Sequence, residues 1–407
     1  MKEAGITKAG KNIVIFSDGT GQEGGEGTNS NVYKLFQMIE DRTDEQIAFY
    51  DPGLGTGWKK VTGNIAGAGI SKNILECYQF ISDHYKWGDR IFLFGFSRGA
   101  ATVRSLAGFI SRFGILPHSR PDLPGKAWKI YQNTDRPVRE IEAKRFINRN
   151  STTWCNIEFL GAWDTVTALG VPIKGLNGAL NRVPFFKHSF HDLKLSRCVR
   201  HARHALSIDE NRKDFSLTPW QTEENGQSLL GEVYVDPRAG LDVGRVVKIE
   251  QQTVRQVWFS GVHTDVGGGY KSAGLSNITL AWMIDEATDA KLLNYPLKLF
   301  PYTPVKLDQD HKVAIQNERD TWLKKKVFRK GQRTWDTTTG GKPVIHASVL
   351  ERKGLQESKG SDPYEPWILK VFSAQDYEIE PWNNKHTLYS IPIETDYRFE
   401  RDPNGKS

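Results

Sequence analysis

The sequence predicts an α/β protein: a mostly parallel sheet flanked by helices, with a long insertion and a C-terminal extension. Two observations carry that prediction. Short apolar runs, rich in β-branched and aromatic residues, stop abruptly at Gly, Asp or Ser, as strands buried on both faces do. Between them, apolar residues recur at three and four positions, the spacing of a helix with one buried face. Strands that alternate with helices are joined by crossovers, and crossovers build parallel sheets.

The first strand is expected at 12–17, Asn-Ile-Val-Ile-Phe-Ser, which breaks into Asp18-Gly19-Thr20-Gly21. A helix follows over 31–40, with Val32, Leu35, Phe36 and Ile39 on one face. A second strand fits 46–50, and a glycine-rich loop leads to a helix over 71–85 with Ser71 as its N-cap. The strongest strand is Arg-Ile-Phe-Leu-Phe-Gly-Phe at 90–96, with a helix at 98–112 directly behind it. Further strands fit 156–162, ending at Trp163-Asp164-Thr165, and 255–260, ending at Gly261-Val262-His263. A helix is expected over 275–289. The segment 171–254 is expected as an insertion between strands. The chain divides into a core at 1–289 and an extension at 290–407 packed on it.

Composition limits the function classes. Of 407 residues, 25% are charged and 11% aromatic, which excludes a disordered polar chain. No apolar run approaches the roughly 18 residues of a membrane span, and no apolar signal segment opens the chain. Lys and Arg exceed Asp and Glu by 55 to 48, a net charge of +7 that is modest for the size and implies no nucleic-acid partner. Three cysteines, Cys77, Cys155 and Cys198, stand far apart, so neither a disulfide framework nor a cysteine metal knuckle is expected. A cytoplasmic, reducing home fits.

Gly95-Phe96-Ser97-Arg98-Gly99 matches G-x-S-x-G and lies between a strand and a helix. That context is a nucleophile elbow, a sharp turn that lifts a serine oxygen above the sheet. A serine hydroxyl is a weak nucleophile, so it needs a base, and the base needs an orienting acid. In the α/β-hydrolase arrangement these follow in the order serine, acid, histidine, each at the carboxyl end of a strand. Asp164 and His263 occupy those places, with Asp265 as the rival acid or as the cap of an Asx turn. An oxyanion hole needs two backbone donors. Arg98 N–H, just after the serine, is one candidate and Gly19 N–H is the other, with Asp18 and Thr20 in support.

Other signals are weaker. His188, His191, His201 and His204 form two pairs at a three-residue spacing, but lack the companions of a metal site and read as packing or surface residues. No metal or cofactor is expected. Asp209, Glu210 and Arg212 are expected to form an ion network beside the sheet. Lys324, Lys325 and Lys326, with Arg329 and Lys330, form a basic run suited to a solvated face or to an anionic membrane surface. Val183, Phe185, Phe186 and Phe190 alternate with basic residues and fit either the core or a lid over Ser97.

Several blocks together carry a resemblance. Phe16 to Thr20, Asn31 to Leu35, Arg90 to Arg104, Gly161 to Val166, His204 to Arg212, Trp258 to Tyr270 and Ile345 to Arg352 resemble the type VI secretion phospholipase effector-like family. The resemblance implies an α/β-hydrolase fold and hydrolysis of carboxylic esters, with phospholipids as substrates of the secreted members. It implies Ser97 as nucleophile, Asp164 as acid and His263 as base. Delivery to another cell by a signal-independent secretion system is a further implication. The residues alone leave open a thioesterase or peptidase with the same triad, a non-catalytic hydrolase-fold binding or scaffold protein, and the oligomeric state.

Overall fold

The structure, a computed structural model, describes residues 10–19, 28–39, 43–53, 64–166, 194–213, 215–224, 227–235, 248–299, 304–317, 330–356, 361–383 and 388–390. Eight strands form one sheet: β1 (Asn12–Ser17), β2 (Gln46–Asp51), β3 (Arg90–Phe96), β4 (Ile157–Trp163), β5 (Val199–Ser207), β6 (Thr253–Phe259), β7 (Val344–His346) and β8 (Glu378–Glu380). Their spatial order is β8-β7-β6-β5-β4-β3-β1-β2, and every neighbouring pair in this sheet is parallel. The helices that position the site are α1 (Asn31–Met38), α2 (Asn64–His84), α3 (Arg98–Phe113), α4 (Leu123–Tyr131), α5 (Arg136–Arg149), α6 (His263–Gly267) and α7 (Gly274–Thr288). Among the described residues, no helix is long and apolar enough to cross a membrane.

Strand alternation assigns the two faces. Ile13, Ile15, Ile91 and Leu93 pack with α2, α3 and α4, while Val14, Phe16, Phe92 and Phe94 pack with α1 and α7. All residues of β1 and β4 are buried, which is why these strands read as continuous apolar runs. The chain leaves β1 for β2 on one side and returns to β3 on the other. The order of the strands therefore reverses about β1. At such a switch point the loops after neighbouring strands diverge and leave a crevice at their carboxyl ends. Asp18, Gly19 and Ser97 lie there, directly after β1 and β3.

The structure departs from the sequence reading in three places. The helix expected at 71–85 begins at Asn64, so Ser71 sits inside α2 and its Oγ accepts from Gln132 Nε2 (3.2 Å) instead of capping. The segment 171–254, expected as an insertion, contains β5, a central strand between β4 and β6. Its sequence, Val-Arg-His-Ala-Arg-His-Ala-Leu-Ser, hides it, because four of nine residues are Arg or His and yet all nine are buried. Their charges are met by distant carboxylates: Arg200 pairs with Glu158 and Glu250, and Arg203 with Glu286. The extension 290–407 contributes β7 and β8, so it completes one edge of the sheet. His201 and His204, expected as packing or surface residues, are both buried and lie three apart on β5, on opposite faces of the sheet. The segment 167–193, with Phe185, Phe186, Phe190, His188 and His191, lies outside the described residues, as do Thr20 and the lysines at 324–326.

Phe94 is fully buried among Phe16, Phe159 and Trp163, at ring-centroid distances of 5.2, 5.6 and 6.4 Å. Phe94→Ala is expected to cost about 3–5 kcal/mol, from lost transfer energy plus the cavity left behind. Urea unfolding reads this as a lower midpoint at unchanged slope. A loss below about 1 kcal/mol would show that the face between α1 and α7 collapses freely onto the gap.

Candidate active site

Ser97 follows β3, Asp164 follows β4, and His263 opens α6 shortly after β6. All three stand at the carboxyl edge of the sheet. His263 Nε2 lies 2.8 Å from Ser97 Oγ, and His263 Nδ1 lies 2.5 Å from Asp164 Oδ2. A carboxylate only accepts, so Nδ1 donates to Asp164, and Nε2 is the ring nitrogen that faces the Ser97 hydroxyl. Phe96 and Phe215 flank the imidazole at 4.6 and 5.2 Å between ring centroids, and His263 is 4% exposed.

The backbone at this edge is strained. Among the described non-glycine residues, only Ser97 (φ 56°) and Asp164 (φ 42°) have positive φ. Each costs on the order of 1–3 kcal/mol, which the surrounding structure must hold in place. Ser97 N–H donates to Trp163 O at 3.0 Å and Asp164 N–H to Ala205 O at 2.8 Å, so both turns are tied to the next strand. The two glycines of the pentapeptide make the sharp turn possible by contact. A Cβ on Gly95 would stand 2.5 Å from Gly99 O, and one on Gly99 would stand 1.9 Å from Ser17 O. The start of α3 therefore lies directly on the end of β1, and only glycine fits between them.

Asp164 is completely buried and carries more than the histidine. Arg333 clasps it with two nitrogens, Nη1 to Oδ1 at 2.5 Å and Nη2 to Oδ2 at 2.9 Å. Ser207 donates its N–H to Oδ1 at 3.0 Å and its hydroxyl to Oδ2 at 3.2 Å. Burial on its own would raise the Asp164 pKa, but the Arg333 guanidinium and His263 hold it well below the usual carboxylate range. Beside it, Glu210 Oε2 accepts from His263 N at 3.3 Å while Arg212 forks onto both Glu210 oxygens at 2.8 and 2.7 Å. Asp209 Oδ2 accepts from Gly261 N and Tyr364 Oη, at 2.7 and 2.9 Å.

The remaining expected residues fall as follows. Asp265 does not face the imidazole nitrogens. Its Oδ2 accepts the N–H groups of Val262 (3.0 Å) and Gln316 (3.3 Å), so it fixes the start of α6 rather than an Asx turn over 266–269. Burial pushes its pKa up to about 7. Asp18 accepts from Ser30 Oγ (2.5 Å), Tyr50 Oη (2.8 Å) and Gly19 N (2.6 Å), and burial raises its pKa to about 6. Gly19 stands against Ser97, with its Cβ position 3.5 Å from Ser97 Cβ. Its N–H, however, is turned to the Asp18 carboxylate, so this structure does not aim it at an oxyanion. Arg98 N–H opens α3, where first-turn amides have no acceptor within the helix. His204 Nε2 accepts from Thr165 N at 3.1 Å, and burial lowers its pKa to about 3, so it holds the turn after Asp164 as a neutral ring. No group of three or more metal-ligating side chains occurs among the described residues.

Two outcomes follow from this geometry. Gly99→Ala forces a carbon into Ser17 O, so α3 must move off β1, and a loss of stability of about 3 kcal/mol or more is expected by urea unfolding. A variant as stable as the parent would show that the contact relaxes freely. Asp265 has a folded pKa raised above its ordinary value, so its stabilising share is present below about pH 4 and is lost as pH rises through about 7. Asp265→Asn, which keeps an acceptor, is expected to flatten the fall in urea midpoint across that window. Parallel curves for the two proteins would contradict the assignment.

Comparison with known proteins places the chain in a family. Residues 11–286 match the family model described as T6SS, phospholipase effector Tle1-like, catalytic domain. Uncharacterized protein YEL023C of Saccharomyces cerevisiae is 30% identical over 234 residues, which is 51% of this chain and 32% of the yeast protein. The chain thus spans about a third of the length of that curated relative. An uncharacterised protein from Pseudomonas aeruginosa superposes with a TM-score of 0.38 at 17% identity, covering 72% of this chain and 47% of its own. The Tle1 effector bound to the VgrG spike of the type 6 secretion system superposes with a TM-score of 0.31 at 17% identity, covering 65% and 51%. Because the family match covers well over half of its length, the chain belongs to the Tle1-like phospholipase effector catalytic-domain family.

Proposed function

We propose that this chain hydrolyses carboxylic esters of lipids, with Ser97 as nucleophile, His263 as general base and Asp164 as the acid that orients it. The observation that carries the reading is the hydrogen-bonded relay from Asp164 through His263 to Ser97. Membership of a phospholipase effector-like family supports a lipid as the substrate class.

In the acylation step Ser97 Oγ attacks the ester carbonyl while His263 Nε2 takes its proton. The negative charge moves to the carbonyl oxygen, where Arg98 N–H stabilises it at the positive end of α3. Gly19 N–H joins as a second donor once it turns from the Asp18 carboxylate. His263 then gives its proton to the leaving alkoxide, and the alcohol departs from an acyl-serine. Water attacks that ester, His263 takes the water's proton, and collapse of the second tetrahedral adduct returns the proton to Ser97 Oγ and frees the acid. Asp164 keeps the proton on Nδ1 and stabilises the imidazolium of each transition state.

The test compares the chain with its Ser97→Ala variant on p-nitrophenyl butyrate and on phosphatidylcholine–phosphatidylglycerol vesicles. The variant is expected to lose about four orders of magnitude or more in kcat on both. Equal turnover by the two proteins removes Ser97 from the chemistry. Serine-dependent hydrolysis of the soluble ester with intact vesicles removes the lipid as substrate and leaves the mechanism.

A further inference from the structure

We propose that Arg333 is a positioning residue of this site, delivered by the C-terminal part of the chain to hold the Asp164 carboxylate and to offset its charge beside His263. The inference rests on the serine mechanism above and names a residue that the family match, which ends at 286, does not reach. Arg333 is 6% exposed and spends both terminal nitrogens at this edge. Nη1 meets Asp164 Oδ1 (2.5 Å), Ser207 O (3.0 Å) and Ser207 Oγ (2.7 Å). Nη2 meets Asp164 Oδ2 (2.9 Å) and Phe215 O (3.0 Å).

The strap that brings it is anchored on both sides. Gly331 N–H donates to Asn211 O at 2.9 Å, and Lys330 bridges to Arg212 as a strand would. Trp335 stands edge-on to the buried Trp258 at 5.8 Å, and its Nε1 donates to Gly341 O at 2.9 Å. Arg333 therefore lies between two fixed points rather than on a free arm.

Two effects follow from the fork. First, one nitrogen on each carboxylate oxygen fixes the plane of the carboxylate, so Oδ2 stays aimed at His263 Nδ1. A single-point cation does not fix that plane. Second, a cation this close to Asp164 offsets the carboxylate's charge at the place where the imidazolium forms during the reaction. Among the described residues, the other charged or titratable groups around the ring include Asp164 after β4, Glu210 with Arg212 and Asp209 after β5, His204 behind Thr165, Asp265 on α6 and Arg98 directly after Ser97. All of them remain when Arg333 alone is changed, so a change in the pH profile reports on Arg333.

The test uses the full chain with Arg333→Met and Arg333→Lys, on a soluble p-nitrophenyl ester across the pH range in which an imidazole titrates. Urea unfolding confirms that each variant is folded. Arg333→Met is expected to move the acid limb of kcat/KM upward by about one pH unit. The acid limb of fluorophosphonate labelling of Ser97 moves with it. Arg333→Lys is expected to keep the limb near the parent position while kcat falls about tenfold with KM within about twofold, because the charge remains and the fork is lost. A folded Arg333→Met protein with an unmoved limb overturns the proposal. Where the Met variant does not fold, the Lys variant decides, and parent-like kcat overturns it. Failure of the serine mechanism is a separate result, read from a Ser97→Ala protein that remains active.

Discussion

The Asp164 carboxylate has no contact with water, and a buried anion of that kind is tolerated only when its oxygens are fully engaged. Ser207 offers two donors, Arg333 two more, and His263 one. These partners come from β5, the C-terminal strap and the turn after β6. The carboxylate thereby ties three distant parts of the chain to the end of β4. It does so at a residue whose own backbone is strained, at φ 42°. Hydrogen bonds to the charged form offset the desolvation and lock a conformation that the local sequence would leave.

The Ser97 side of the edge depends on steric closeness rather than charge. Gly95 and Gly99 let the first turn of α3 lie on β3 and on the carbonyl of Ser17. That contact turns Ser97 outward and sets the helix N-terminus beside it. Because the strand order reverses about β1, the helices that follow β1 and β3 pack on opposite faces of the sheet. Gly19 stands beside Ser97, but the Asp18 carboxylate claims its N–H, and Ser30 and Tyr50 hold the carboxylate in turn. The Gly19 N–H is thus already engaged, whereas Asp164, His263 and Ser97 stand hydrogen-bonded in a row.

The part of the chain beyond the family match is built into the fold. It supplies two sheet strands, and Arg255 and Trp282 both reach Glu380 at the far edge. The same part carries Arg333. A boundary drawn at the last matched residue would cut through the sheet and through the contacts of Asp164.

The sequence by itself determined the apolar strands β1, β3, β4 and β6, the elbow at Ser97, and the chain order Ser97, Asp164, His263. Each of these is a local signal: an unbroken apolar run, a pentapeptide between strand and helix, or a residue just past a strand's end. The tertiary structure alone decided the rest. β5 was hidden because Arg200, His201, Arg203 and His204 read as surface, and only partners such as Glu286, 83 residues from Arg203, make their burial tolerable. β7 and β8, three residues each, are too short to show a period. Arg333 stands 169 residues from Asp164 with no motif around it. Local pattern records what a residue does to its neighbours in the chain, whereas a buried charge is licensed by whatever opposite charge the completed fold brings to it.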